Sequence, residues 1–206
     1  MPGRVQQDKT AMQEPYEQRK VWDPLIRAWH WLLVITVTVG WLLGQYRDFD
    51  TIDYHMYLGY TTGTLLLIRI YWGFAGPGPV RFRALVVSPT DLACYLRGMF
   101  RRSPSGVPGH NPVGALSVIA ILLSLAVQVI TGLFSEDDGL FAEGPLAGLV
   151  SSGTRGSIGQ IHHLNARILL ALAGLHVAAI LFYLVWKREN LIKPMITGWK
   201  IVRKDR

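Results

Sequence analysis

The chain has a single cysteine, Cys94, in 206 residues, and that scarcity removes several chemistries at once. A lone thiol excludes an internal disulfide, a four-cysteine zinc or iron–sulfur site, and a covalently attached c-type haem, which needs a C-x-x-C-H run. Charge is scarce too: 17% of residues are charged, against roughly a quarter in soluble proteins. The run Ala115–Leu133 has no charge at all, which no amphipathic helix of a soluble bundle shows. A secretory signal is not evident, because the mixed-charge residues 1–20 precede the first apolar run and no small-residue cleavage site follows it. Internal repeats and low-complexity tracts are absent as well.

Four long apolar runs are present, at about 25–46, 54–74, 112–134 and 161–186. Each is long enough for a hydrocarbon core that takes about 20 helical residues to cross. The fold class expected is an all-α membrane protein, a four-transmembrane-helix bundle. Its parts are a polar, mobile N-terminal extension (1–20), the bundle (21–200) and a basic tail (201–206). The net charge of +7 is unevenly placed. Five Lys/Arg lie in 1–27, five in 75–111 and seven in 187–206, whereas 47–53 and 135–160 hold one Arg each against seven acids. That is a positive-inside pattern, with both termini and the middle loop cytoplasmic. It accounts for the basic balance through topology and anionic lipid, with no nucleic acid required. Residues 91–102 mix apolar side chains with three arginines and suit an inner-surface helix or an ordinary connection.

Four histidines lie inside the apolar runs: His30, His55, His162 and His176. An ionisable residue within a bilayer is costly and marks a functional site by default. His162 and His176 are fourteen residues apart, which places them within ~40° of one helix face and about 21 Å apart along the axis. With helix one running outward and helices two and four inward, depth pairs His55 with His162 near the outer surface. It pairs His30 with His176 near the inner one. Two imidazoles on opposite sides of a flat ring are what a six-coordinate haem takes, so two haems b at two depths are expected. Zinc or copper would need three or four ligands within one small sphere, and these pairs lie too far apart for that.

Other residues fall into place around the pairs. Gly44 lies fourteen after His30, and Gly59 and Gly63 follow His55 by four and eight. They either leave room for a flat ring or tighten helix contacts. Arg69, fourteen past His55 at the inner level, and Arg27, one turn before His30, could pair with haem propionates or snorkel to headgroups. Arg167 is rotated off the ligand ridge, towards lipid, quinone or a partner chain. His163 points about 100° from His162, and either carries protons, meets an outer partner or is simply solvated. His110 is read as a loop cap.

The stretches VWDPLIRAWHW (21–31), HMYLGYTTGTLLLIRIYWGF (55–74), GHNPVGALSVIAILL (109–123), DDGLFAEGPLAGLVS (137–151), HHLNARILLALAGLH (162–176) and KRENLIKPMITG (187–198) together resemble the bacterial cytochrome b561 family. That family is in turn similar to the cytochrome b subunits of nickel–iron hydrogenases and formate dehydrogenase. The resemblance implies a dihaem b-type cytochrome of the bacterial inner membrane. Carried over residue by residue, its iron ligands are His30, His55, His162 and His176. His163 departs from the acid or small residue frequent at that place. The expected function is electron transfer between the quinone pool and a periplasmic partner, either a c-type cytochrome or a hydrogenase or dehydrogenase subunit. Two other readings stand beside it: a haem-bearing anchor for a separate catalytic subunit, and a haem-free proton channel or transporter. Quinone, lipid, the redox partner and a second copy of the chain are the partners to consider. No residue suggests acid–base or nucleophilic catalysis, so enzyme activity is confined to quinone chemistry.

Overall fold

Three helices start with the same device, a polar cap followed by proline. Asp23 Oδ1 accepts the Ile26 N–H at 3.0 Å, Ser88 Oγ that of Asp91 at 3.0 Å, and Asn111 Oδ1 that of Gly114 at 2.8 Å. Proline in each first turn has the right φ and lacks only an N–H that would be unpaired there. These caps open α1 (Pro24–Gln45), α3 (Pro89–Gly98) and α4 (Pro112–Phe134). The other long helices are α2 (Ile52–Ala75) and α5 (Ser152–Val185), the latter capped by Ser151. The computed structural model describes residues 16–46, 48–137 and 142–204.

Helices α1, α4 and α5 are long and apolar enough to cross a membrane. Helix α2 has 24 residues, about 36 Å, but carries His55, Arg69 and four tyrosines and is less apolar. Large side chains such as Ile35, Leu67, Leu123 and Leu175 are exposed on the outward faces, while Thr36, Thr62, Ser124 and Asn165 are buried. That inversion suits a hydrocarbon surround, in which an apolar exterior costs nothing and a polar group must be satisfied internally. Helix α5 runs along α4, α1 along α2, and α2 against α4. Backbone approaches of α5 to α1 and α2 are few. At mid-height Leu33, Leu65, Leu125 and Leu169, one from each long helix, close the bundle.

Two expectations change. Helix α5 begins at Ser152, not near residue 161, so nine residues expected in the loop extend the helix beyond the apolar run. The segment before it folds back on α4 through a small hairpin, β2 (Glu136–Asp137) with β3 (Ala142–Glu143). Arg155 bridges Glu136 at 3.3 Å and Glu143 at 3.0 Å, stapling the hairpin to the extension of α5. At the opposite, basic end, residues 16–20 are not a mobile extension. They form β1 (Tyr16–Lys20), antiparallel to β4 (Trp199–Arg203), which takes in the first residues of the expected tail. A short helix, α6 (Ile192–Thr197), precedes β4. Its C-terminal Gly198 has φ +87°, and a Cβ there would stand 2.7 Å from the Trp22 carbonyl.

Buried beneath that sheet, Lys200 pairs with Glu189 at 3.1 Å and donates to the Val107 carbonyl at 3.0 Å. Glu189 accepts from the Ser105 N–H and hydroxyl. Burial alone would raise the Glu189 pKa, but the Ser105 bonds and Lys200 hold it below the usual value. Arg47 and Asp138 lie outside the described residues.

Candidate haem sites

His30 on α1, His55 on α2 and His162 and His176 on α5 lie at two levels separated by the leucine layer. At the acidic end, His55 and His162 face each other with ring centroids 6.2 Å apart and planes at 84°. His55 Nδ1 lies 2.8 Å from the Gly40 carbonyl of α1. Only an N–H can donate there, so Nδ1 carries the proton and the Nε2 lone pair is free. His162 is held through Nδ1 by α4 as well, but its Nε2 meets the Gln128 amide at 3.0 Å. Its Nδ1 donates towards the Gln128 carbonyl at 3.1 Å, with the Thr131 hydroxyl oxygen also at 3.1 Å. A metal-binding histidine is characteristically held by such a bond from its other nitrogen.

Glycine makes the close approach possible at both rings. A Cβ on Gly44 would stand 2.9 Å from His55 Cε1, and one on Gly132 would stand 3.1 Å from His162 Cε1. Gly44 therefore makes room for the His55 imidazole. Gly59 has open space where a Cβ would be, whereas Gly63 tightens α2 on α4 against Val129.

Fit to a haem is tested by this spacing. Two imidazoles sharing one metal ion through bonds of about 2 Å have ring centres about 6 Å apart, and the His55–His162 pair has that separation. At the basic end, His30 and His176 lie close enough to act on each other electrostatically, and the His30 Nδ1 is buried with no hydrogen-bond partner. Arg69 is 4% exposed, donates from Nη2 to the Val80 carbonyl at 3.1 Å and leaves Nη1 unpartnered. Its guanidinium is 4.8 Å from the Phe82 ring and 6.0 Å from the Trp29 ring. A buried cation with a free donor fits an anionic group such as a propionate. The residues present fit haem at both levels once the Gln128 amide turns off His162 Nε2.

The sequence profile of the prokaryotic cytochrome b561 family matches residues 21–198. The chain belongs to this family. It is accordingly a haem-b-bearing, electron-transporting protein of the bacterial inner membrane that crosses it more than once. Relatives include the probable Ni/Fe-hydrogenase B-type cytochrome subunit of Azotobacter vinelandii, 25% identical over 90% of each chain. The Rhodobacter capsulatus subunit of that name is 24% identical over 90% of this chain and 82% of its own. The probable Ni/Fe-hydrogenase 1 B-type cytochrome subunit of Escherichia coli K12 is 25% identical over 87% and 89%. No solved structure matches the chain.

The remaining named residues have definite places. Arg27 donates from Nη1 to the Ile196 carbonyl of α6, fastening α1 to the basic end, and its Nε is buried without a partner. His163 and Arg167 are exposed on α5, His163 with its ring 6.1 Å from that of His162. His110 is not the cap of α4, a role Asn111 fills. Its ring packs 4.9 Å from Trp22. Burial, then the charges of Lys200, Arg69, His176 and His30, push its pKa down to about 4, so it is neutral at pH 7.

Sequence reasoning missed the polar groups behind His162. Ser124 Oγ donates to Asn165 Oδ1 at 3.0 Å, and Asn165 Nδ2 donates to Gln128 Oε1 at 2.7 Å. Gln128 Nε2 in turn stands 3.0 Å from His162 Nε2. The signal was available: Ser124, Gln128 and Thr131 fall at i, i+4 and i+7 in a charge-free run.

Proposed function

We propose that this chain carries electrons across the membrane through two haems b, ligated by His55 with His162 and by His30 with His176. The observation that carries the proposal is the 6.2 Å separation of the His55 and His162 rings, each with Nδ1 tied to a helix carbonyl. Haem at the two levels supplies two one-electron carriers about 21 Å apart along α5. The protein's part is to hold and insulate them. His55 and His162, oriented by α1 and α4 carbonyls, would hold the iron of the outer haem. The leucine layer keeps water out of the space between the levels. At the inner site Arg69 gives a propionate a buried counter-charge.

In this reading α2 crosses the membrane as the fourth span, made tolerable by the helix partners that cover His55 and Arg69. Threonines add to it by satisfying their own hydroxyls: Thr62 donates to the Leu58 carbonyl at 2.8 Å. The basic end, with both described termini paired in one sheet, faces the cytoplasm, and the His55–His162 site faces the periplasm. The relatives bear the names of hydrogenase B-type cytochrome subunits. A hydrogenase catalytic subunit at the periplasmic face, exchanging electrons with the quinone pool through this chain, is therefore the partner proposed. Family membership leaves the haem-free channel without support.

Purified protein assayed as its pyridine haemochrome should give two haems per chain. His162→Ala and His176→Ala should each give one. A colourless wild-type preparation would overturn the proposal, and a haem lost from His163→Ala but kept in His162→Ala would overturn the ligand assignment. Copurification with a hydrogenase at fixed stoichiometry tests the partner.

A further inference from the structure

We propose that the basic end carries a binding site for an anionic phospholipid of the inner leaflet, in a cavity between Arg188, Lys193 and the outward face of β4. The site needs no haem. From the preceding reading it takes only that the basic end lies at the cytoplasmic surface.

The cavity measures about 450 Å³, within the range of roughly 300–1,000 Å³ usual for small-molecule sites. Arg188, Lys193 and Lys200 line it, with Glu189 as the single acid in its lining. Glu189 is already paired with Lys200 at 3.1 Å, and both are buried. Two positive charges are left over. Neither Arg188 nor Lys193 has a side-chain hydrogen bond or ion pair among the described residues. A concave wall with such an excess attracts an anion, and a phosphodiester offers acceptor oxygens to both cations.

Arg188 is held where it is at a cost. Its backbone leaves α5 with φ +54°, the left-handed conformation that glycine or asparagine usually supplies at a helix end. That turn lets the Glu189 N–H close on the Tyr183 carbonyl at 3.0 Å. A larger residue in this conformation is strained, and strain of this kind collects at ligand clamps.

The apolar part of the lining selects among phosphates. Strand β4 buries Lys200 and Val202 and turns Trp199 and Ile201 outward, where both line the cavity. They are exposed, as are Ile192 and Ile196 of α6, the helix that supplies Lys193. A free phosphate would leave these groups bare, whereas the acyl chains of a lipid cover them. Arg188 stands three residues past Val185, the last of α5, so the cavity lies at headgroup depth. Tryptophan is the usual interfacial residue there. A basic pocket on the cytoplasmic side suits an anionic headgroup. A zwitterionic one would bring its own amine against Arg188 and Lys193.

The purified full-length chain in mild detergent, given phosphatidylglycerol, phosphatidylcholine or inorganic phosphate, is read by thermal melt and by native mass spectrometry. Phosphatidylglycerol should raise the melting temperature, as any ligand of the folded state does, and stay bound as one molecule per chain. The other two should do neither. Arg188→Gly and Lys193→Gln should each weaken phosphatidylglycerol binding about fivefold, the worth of one cation at an anionic surface. Without lipid, Arg188→Gly should melt no lower than wild type, because glycine takes φ +54° freely, so its lost response is not misfolding. Should it melt lower, Lys193→Gln, a change on an exposed side chain, decides alone. No shift with phosphatidylglycerol, an equal one with phosphatidylcholine or inorganic phosphate, or an undiminished response in the variants would overturn the site. A chain that proves to bind no haem leaves this readout intact and refutes only the ligand assignment.

Discussion

The two histidine pairs solve one problem in different ways. His55 and His162 have their Nδ1 atoms engaged by helix carbonyls, a glycine beneath each ring, and ring centres already 6.2 Å apart. At the other level, His30 Nδ1 and Arg69 Nη1 are buried without partners. The first site is finished by the fold, because regular helices supply its acceptors. The second keeps open donors, which in the proposed function a ligand with acceptor oxygens would complete. Around it lies irregular chain: short turns at Gly78–Val80 and Phe82–Leu85, α6 and the sheet of both described termini. Preorganisation at one end and closure by a ligand at the other is what the difference teaches.

The largest expected effect on that contrast comes from the ligands. His55→Ala or His162→Ala should abolish the outer haem and leave the inner, with His30→Ala or His176→Ala doing the reverse, read by haem stoichiometry. Loss of both haems from any one of these would show that the two sites fold as a unit. Next is Glu189→Ala, which strands Lys200 as a buried charge and should cost about 3 kcal/mol of stability. A thermal melt should register this together with weakened inner, not outer, haem retention. Arg69→Leu removes the buried donor, and its expected signature is a lowered inner midpoint and easier inner-haem loss. Gly44→Ala brings a methyl to within 2.9 Å of the His55 ring. Displacement there should broaden the outer haem's α-band, while the same change at Gly59, in open space, should be silent.

The smallest effect is one of pH. Glu189 has its folded pKa below the unfolded value near 4.5, so its stabilisation is present above that value and is lost as pH falls through the folded one. The melting temperature of the wild type should therefore drop on acidification below about pH 4.5, and Glu189→Gln should flatten that part of the curve. An unchanged slope in the variant would place the acid sensitivity elsewhere.

Much of the candidate site could be read from the chain. Histidine spacing, helix direction and charge asymmetry placed His55 with His162 and His30 with His176, since depth in a bilayer is close to a one-dimensional coordinate. Residues acting across that coordinate were harder. Arg27 and Arg69 look alike in sequence, each a cation near a histidine. One fastens α1 to α6 and the other is buried under Trp29 and Phe82, a distinction made only by how the basic end closes. His110 reads as a loop cap from its Gly–His–Asn–Pro setting, whereas Asn111 caps α4 and His110 packs on Trp22. The strand β1 was missed because Tyr16–Lys20 is polar throughout and its partner β4 is 179 residues away in register, Lys20 opposite Trp199.

By itself the sequence determined that the chain is a helical membrane cytochrome, through apolar run length, intramembrane histidines and family motifs. These are properties of single segments facing one solvent, the bilayer, which reads length and polarity directly. Tertiary structure alone decided which carbonyl holds each imidazole, which glycine admits it, and that Ser124, Asn165, Gln128 and Thr131 converge on His162. Such choices depend on helix rotation and packing distance, which differ by ångströms among arrangements that share one hydropathy pattern.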